Sequence, residues 1–457
     1  MSTIITNLQL MRNYFETGVT KPYSFRKEQL QKLKDAVLKH EQAISDALYK
    51  DLHKSPEEVW LTETGMVISE INYFLKHLED LMKPQKVSTN LINIPGKSYI
   101  MPEPMGVVLI IGPWNYPFQL LFVPLIGAIA AGNCVMLKPS EFASQTEKVM
   151  QQIIEETFNM KYVSYLTGDG AVVVPEMMYN FTFDHVFFTG GTEVGRKVYQ
   201  MAAERLVPVT LELGGKSPCV ITENANLEVS AKRIASIKFS NAGQMCIAPD
   251  YLLVHASVKE KFVAILKKTI ENFYTGQPVS SHDFGRIINE KQFNRLMGYL
   301  ENANIIHGGA HNREMLYISP TVVESTGMND AVMQEEIFGP LLPVITYNAE
   351  QEALDIIQQN KNPLAFYVFT DNKKEADSWL QKVPSGNAAV NAAAVFYLNK
   401  NLPFGGRGNS GTGRYHGRFS FETFSHQKAV LKRPTWPDFA VAYPSYKGKL
   451  GILKKMF

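Results

Sequence analysis

Cysteine is scarce. Cys134, Cys219 and Cys246 are the only three in 457 residues. They are too few and too scattered for a disulfide framework or a cysteine-rich zinc site, so no metal centre is expected, and a reducing, cytoplasmic setting is. A charge excess is also lacking: 46 basic residues face 44 acidic ones, a net of +2. That argues against a nucleic-acid binder relying on a broad basic field. Met1 to Thr17 lacks the uninterrupted apolar region and small-residue cleavage site of a signal peptide. Internal repeats and low-complexity segments are missing too.

One stretch lacks charge altogether. Between Glu103 and Lys138 there is no Asp, Glu, Lys or Arg, and Phe118 to Leu137 alone is long enough to span a bilayer. Its pattern breaks up on inspection. Val107–Ile111 is a short aliphatic run, Pro113 to Pro117 is a turn, Phe118 to Ala131 reads as a helix containing Pro124, and Gly132-Asn133 stops it before a second run, Cys134–Leu137. Two buried strands around a buried helix are expected, with no transmembrane segment. The C-terminus, Tyr446 to Phe457, is basic with Leu450, Ile452, Leu453, Met456 and Phe457 interleaved. It is too short to cross a membrane; it reads as a docked tail or subunit contact, with peripheral membrane contact as the alternative.

The length suggests two or three domains, at about 150 residues each. With 45% apolar and 20% charged residues the composition is that of an ordinary globular enzyme. Lys27 to Lys83 has helical periodicity and predicts two or three surface helices, and Ile94-Pro95-Gly96-Lys97 marks a hairpin within Val87–Met101. From Gly106 to Thr210 the runs Val107–Ile111, Cys134–Leu137, Tyr162–Tyr165, His185–Phe188 and Val209–Leu213 alternate with helical segments, which predicts a parallel, doubly wound sheet. A second alternating series runs from Ser217 to about Val390, giving two α/β domains in series.

Candidate chemistry gathers around the glycines. Asn241-Ala242-Gly243-Gln244-Met245-Cys246 places a cysteine after a glycine-bearing turn, where backbone approaches a ligand closely. Such a thiol becomes a nucleophile when a positive end or cation lowers its pKa; otherwise it is structural. Cys134 and Cys219 sit in apolar runs and read as packing residues. In Val209–Gly215 the alternation puts Thr210 and Glu212 on one face, and desolvation at the end of a buried strand raises a carboxyl toward a general base. A solvated edge carboxylate is the alternative. Phe188 to Gly195, with Gly190, Gly191 and Gly195, follows a strand and opens a helix like a dinucleotide fingerprint, but Thr192 replaces the second glycine. Lys138 and Glu141 follow a strand end, where ribose or phosphate contacts arise, or form a surface turn. Asn115 between Pro113 and Pro117 is either an oxyanion donor or a turn residue. Glu336–Gly339 and Phe404–Gly411 are loops of unassigned purpose.

The ordered set resembles the aldehyde dehydrogenase superfamily: Pro-Trp-Asn-Tyr-Pro, Lys-Pro-Ser-Glu, Phe-Thr-Gly-Gly-Thr-Glu-Val-Gly, Leu-Glu-Leu-Gly-Gly-Lys, Gly-Gln-Met-Cys, Glu-Glu-Ile-Phe-Gly-Pro and Pro-Phe-Gly-Gly, from 113 to 406. Cys246–Tyr251, Tyr415-His416-Gly417 and Phe421–His426 are similar to its class 3 branch of fatty and aromatic aldehyde dehydrogenases. The resemblance implies an α/β fold with a doubly wound cofactor domain (1–85 and 103–211), a second α/β catalytic domain (212–410) and a small β bridging element with the tail (86–102 and 411–457). It also implies NAD(P)-dependent oxidation of an apolar, medium or long-chain or aromatic aldehyde to the acid. By that resemblance Cys246 is the nucleophile, Glu212 activates the hydrolytic water, and Asn115 with the Cys246 N–H forms the oxyanion hole. Lys138, Glu141 and Glu336 match ribose contacts, Phe338 a residue beside the nicotinamide ribose, and Gly190 and Gly195 the turn under the pyrophosphate. Trp114, Gly191, Leu213 and Gly214 complete the cofactor set, and Val87–Met101 becomes a homodimer contact. Met245 stands where Thr or Ser is common, while Gly191 and Glu193 replace the branch's usual Ser and Gly. With Glu141, those changes predict NAD over NADP. The Glu212 match favours hydrolysis over acyl transfer to coenzyme A, and the joint presence of Cys246, Glu212 and Asn115 argues against a fold that has lost catalysis.

Overall fold

The computed structural model describes residues 3–455. Met456 and Phe457 of the basic tail lie outside the described residues. Five aliphatic runs form parallel strands: β1 (Val107–Ile111), β2 (Cys134–Lys138), β3 (Val163–Tyr165), β4 (His185–Thr189) and β5 (Val209–Glu212). The strands β1, β2 and β4 are buried along their whole length, the pattern of a sheet covered on both faces. Their order is β5-β4-β1-β2-β3, so the chain starts in the middle and winds outward both ways. Between β1 and β4 the winding reverses, and a crevice opens beyond the carboxyl ends of the strands. The turns that follow Ile111 and Thr189 therefore lie at the carboxyl ends that border that crevice.

The uncharged stretch folds as the sequence predicts. Between β1 and β2 the helix Gln119–Ala131 is buried at every residue, Pro124 included. It ends at Gly132, whose φ of +92° is left-handed and whose absent Cβ leaves room for the Arg26 guanidinium. Asn133 then ties three segments together, its Oδ1 accepting from Gly106 N–H at 2.8 Å and its Nδ2 donating to the Phe424 carbonyl at 2.9 Å. Among the described residues no helix is long and apolar enough to cross a membrane.

A second sheet takes up the later runs: β6 (Pro218–Ile221), β7 (Tyr251–His255), β8 (Asn304–His307), β9 (Thr321–Glu324), β10 (Leu341–Tyr347), β11 (Ala365–Phe369) and β12 (Asn387–Val390). Its order is β8-β9-β10-β7-β6-β11-β12, parallel throughout except for β8. The short strand β13 (Gly411–Thr412) then returns to the first sheet, antiparallel to β5, pairing Gly411 with Glu212. The helix Arg418–Thr423 follows and packs on Gln119–Ala131.

A third, small sheet joins Gln85–Val87, Lys97–Pro104 and Ser425–Lys432, all antiparallel. The hairpin read at Val87–Met101 is thus present. The tail after Lys432 carries exposed Trp436, Phe439, Tyr443 and Tyr446 and a short helix, Leu450–Leu453, that leaves Leu450 and Ile452 exposed.

Candidate functional site

The site forms where the carboxyl ends of the first sheet meet the segments leading into the second. Trp114 and Asn115 follow β1, Lys138 ends β2, Gly190 follows β4 and Glu212 ends β5. From the other side, Cys246 precedes β7 and Glu336 precedes β10. Residues far apart in sequence are brought together because both sheets point their chain reversals at one crevice.

The backbone before Cys246 is unusual. Asn241, Ala242 and Gly243 all have positive φ (50°, 50° and 75°). At Gly243 a Cβ would stand 2.2 Å from the Gly339 carbonyl oxygen, so only glycine admits the loop that carries Glu336 and Phe338. Gln244 holds the turn by side-chain bonds: Nε2 donates to Arg286 O (2.8 Å) and Asn241 O (3.0 Å), and Oε1 accepts from Ile288 N–H (3.0 Å). This accounts for the Gly-Gln pair ahead of the cysteine. Strain there is sustained by these hydrogen bonds, with Asn241 Oδ1 left buried and unpartnered among the described residues.

Cys246 and Glu212 line one pocket. Its remaining walls are mostly apolar: Tyr116, Leu120, Met245, Ile247, Phe404 and Tyr415, with Thr62, Gln119, Thr189, Tyr397 and His416 adding polar atoms. Both carboxylate oxygens of Glu212 are buried without a partner among the described residues, and so is the Thr189 hydroxyl. Desolvation pushes the Glu212 carboxyl well above its ordinary range, as the sequence reading anticipated for a general base. The sequence reading makes the nucleophilicity of Cys246 depend on a nearby positive end or cation. Burial, then Glu336 and Glu212, push its thiol upward, against its own backbone N–H and that of Ile247. A thiol facing two carboxyl groups in a dry pocket is held as a thiol until a base takes its proton. Cys134 and Cys219 are wholly buried in β2 and β6; burial lifts Cys134 to about 12 and Cys219 well above its ordinary value.

Asn115 is buried behind the pocket. Its Nδ2 donates to the Gln244 carbonyl at 2.9 Å, which fixes the amide beside the turn that carries Cys246. One of its two N–H bonds is thus committed; the other has no acceptor assigned to it.

The residues expected to meet a cofactor lie outside this pocket. Trp114 and Phe338 meet edge to face, with ring centroids 5.3 Å apart, and Phe338 has a φ of +48°. Glu336 lies over Gly214, where a Cβ would stand 1.9 Å from its carboxylate. Burial and then Asp250 push Glu336 up to about 8, against the Gly215 N–H, Lys216 and Arg295. Lys138 is buried and pairs with Glu141 at 3.1 Å, and Glu141 also accepts from Gly170 N–H at 3.3 Å. Gly195 and Gly190 avoid collisions with Leu213 and the Phe188 ring at 2.5 and 2.6 Å, so the turn lies flat on the sheet. Gly191 faces open space at the start of the helix Thr192–Ala203. A helix N-terminus opening on the crevice, the unpartnered Thr189 hydroxyl and the buried Lys138 together fit a dinucleotide, whose pyrophosphate would meet the helix start and whose riboses would meet Lys138, Glu141 and Glu336. Among the described residues no group of His, Cys, Asp or Glu could hold a metal.

Sequence reasoning missed the supports. Lys216 was quoted within its motif but given no role. Its Nζ donates to Asp250, Glu335 O (2.9 Å) and Val332 O (3.1 Å), while Asp250 accepts from Ile337 N–H at 3.0 Å. Arg295 adds a bond to Ile337 O at 2.7 Å and one to Glu336 O at 3.3 Å. These two cations hold the loop bearing Glu336 and Phe338. Nothing in the local sequence around Arg295 signals that duty.

Comparison with known proteins agrees with this geometry. The family model described as the aldehyde dehydrogenase family matches residues 5–430. A 4,4'-diaponeurosporen-aldehyde dehydrogenase from Staphylococcus aureus (strain NCTC 8325 / PS 47) is 45% identical over 446 residues, covering 97% of each chain. The dimeric NADP-preferring aldehyde dehydrogenase of Canis lupus familiaris is 39% identical over 452 residues, 98% of this chain and 99% of its own. A solved structure described as the substrate-bound state of Staphylococcus aureus AldH is 44% identical and superposes with a TM-score of 0.98 over 100% of both chains. By the family model over residues 5–430 and these relatives, the chain, with its Cys246 turn, carboxylate and crevice in one place, belongs to the aldehyde dehydrogenase family.

Proposed function

We propose that the protein oxidises apolar aldehydes, medium or long-chain or aromatic, to carboxylic acids with NAD as the preferred cofactor. The observation that carries this reading is the shared pocket: Cys246 and an unpartnered Glu212 in walls of Tyr, Phe, Leu, Met and Ile. An apolar chain gains roughly 0.8 kcal/mol per methylene buried in such walls. The Staphylococcus aureus relative's name, 4,4'-diaponeurosporen-aldehyde dehydrogenase, supports the same substrate class.

Cys246 loses its proton to solvent, its Sγ bonds to the aldehyde carbon as the carbonyl π bond opens onto oxygen, and the resulting oxyanion accepts from the second Asn115 Nδ2 N–H and the Cys246 backbone N–H. A bound nicotinamide would supply the acceptor for the hydride that the thiohemiacetal carbon loses on becoming a thioester. Glu212 takes a proton from water, whose oxygen attacks the thioester carbon; the carbon–sulfur bond breaks, and the acid leaves with Cys246 restored. Glu336 and Phe338 orient the cofactor, and Lys138 and Glu141 hold its adenosine ribose. The carboxylate of Glu141 disfavours an added ribose phosphate, which supports NAD over NADP.

A homodimer joined through the small antiparallel sheet, a cytoplasmic setting, and the sequence-derived domain boundaries complete the reading. The exposed, basic, aromatic tail supports a contact with either a second subunit or a membrane surface. Light scattering of the purified protein, alone and with anionic vesicles, distinguishes these. The substrate reading is tested by NADH production across straight-chain aldehydes of increasing length, with and without coenzyme A. kcat/KM is expected to climb with chain length, without a coenzyme A requirement. A preference for short or charged aldehydes, or a need for coenzyme A, would overturn it.

A further inference from the structure

Behind the pocket lies an ion pair that the proposed chemistry does not use. Lys54, in the link after the helix Glu41–Leu52, and Glu63 are both fully shielded from solvent at 0% side-chain exposure, with Lys54 Nζ 2.7 Å from Glu63 Oε1. Their other contacts converge on one turn. Lys54 Nζ donates to the Asn115 carbonyl at 3.1 Å and stands 3.8 Å from the centre of the Tyr116 ring. Glu63 Oε2 accepts from the Gln119 N–H at 2.8 Å. The pair therefore grips both ends of the segment Asn115–Gln119. The Asn115 carbonyl accepts a second bond, from Asn241 Nδ2 at 2.7 Å, which couples that grip to the turn carrying Cys246.

Local structure is arranged to bring Glu63 there. Trp60–Thr64 is a turn of π-helix, closed by a Gly65 N–H bond to Trp60 O. Gly65 is needed at that closure, because a Cβ would stand 2.4 Å from the Trp60 carbonyl oxygen. One extra residue per turn lets the adjacent side chains Thr62 and Glu63 both face inward: Thr62 lines the pocket, and Glu63 lies behind it. Two buried charges are a poor way to stabilise a fold, since apolar residues of the same size do so at least as well. Their value lies in direction, because each bond has one geometry and all of them end on the turn.

We propose that Lys54 and Glu63 are positioning residues for catalysis: together they set where the Asn115 amide and the Tyr116 ring stand relative to Cys246, and so govern the rate of attack on the aldehyde without governing cofactor binding. This rests on the reading of Asn115 as the oxyanion donor.

The test compares Lys54→Met/Glu63→Met, Glu63→Gln and Asn115→Ala with the wild-type enzyme. Thermal midpoint, the rate of the first-turnover NADH burst, and KM for NAD are measured. The double variant leaves no charge unpaired and is expected to unfold cooperatively near the wild-type midpoint. Its burst rate is expected to fall at least tenfold while KM for NAD changes less than twofold. A folded double variant with a wild-type burst rate would overturn the proposal. Should the double variant fail to fold, Glu63→Gln decides, because it keeps the shape and an acceptor for Gln119 while removing the charge. A tenfold slower burst supports positioning, and an unchanged burst refutes it. Asn115→Ala separates the two levels. If it alone is slow, the ion-pair proposal fails and the oxyanion reading stands; if it is as fast as wild type, the oxyanion reading fails, and the ion-pair proposal fails with it.

Discussion

The two halves of the crevice treat charge in opposite ways. On the proposed cofactor side most cations meet partners: buried Lys138 has Glu141, buried Lys216 has Asp250, and half-buried Arg295 has two backbone carbonyls, while Lys238, buried near Asp250 and Glu336, has no hydrogen-bond partner among the described residues. In the pocket proposed for the aldehyde, Glu212 stands with both oxygens unpartnered among the described residues and Cys246 faces carboxyl groups. Paired charges hold a shape and are reluctant to change. An unpaired acid in a dry pocket holds no shape, yet it is poised to trade a proton. On the proposed function, the difference separates binding from chemistry within a single cleft.

The comparison can be broken most severely at the sulfur. Cys246→Ala is expected to lower NADH production more than about 10⁴-fold, on the scale of nucleophile deletions, with NAD binding intact by fluorescence titration of NADH. Next comes Glu212→Gln, expected to cost roughly 10²–10⁴-fold in kcat. It should spare the first-turnover burst and leave a thioester that hydroxylamine cleaves, so loss of the burst itself would move Glu212 into the first step. The pH profile follows. Glu212 and Cys246 are both pushed up and work only when deprotonated, so kcat should rise with pH through neutrality by up to about tenfold per unit. Alkylation of Cys246 by iodoacetamide should accelerate over the same range, and a flat profile would show that the pocket is wetter than its walls suggest.

On the cofactor side the effects are smaller. Arg295→Met removes two bonds to the Glu336 loop and is expected to raise KM for NAD about tenfold, the worth of one charged hydrogen bond, with kcat nearly unchanged. Smallest is Glu141→Gln, expected to shift the NADP to NAD ratio of kcat/KM a few-fold toward NADP, since Glu141 is partly exposed and already shares Lys138. No gain in NADP activity would remove Glu141 from cofactor choice.

Much of this site could be read from the chain because its chemistry sits on local signals. Glycine turns after aliphatic runs located Gly190, Gly214 and Cys246, and the breaks at Pro113, Pro117 and Gly132 divided the uncharged stretch correctly. What escaped depends on contacts across long sequence distances. Lys54 and Glu63 read as surface charges on an amphipathic helix, and only the packed structure shows them without solvent. β13 is two residues long, too short for any periodicity, and it is fixed by pairing with β5. The charges around the Cys246 thiol escaped for a related reason. A glycine turn says that backbone approaches closely, not which charges approach with it.

The helix Gln119–Ala131 has a bearing on how the chain is made. One side of it is covered by residues near the other end of the sequence: Ser420, whose Cβ lies where a Gly127 side chain would go, and Phe424, which receives Asn133. During synthesis that apolar surface is exposed from the time the first sheet emerges until almost the whole chain has been translated. Ribosome-bound intermediates therefore present a sticky face for most of their lifetime, and chain-terminating mutations before residue 418 should yield aggregates or chaperone-bound fragments instead of a truncated, partly active enzyme.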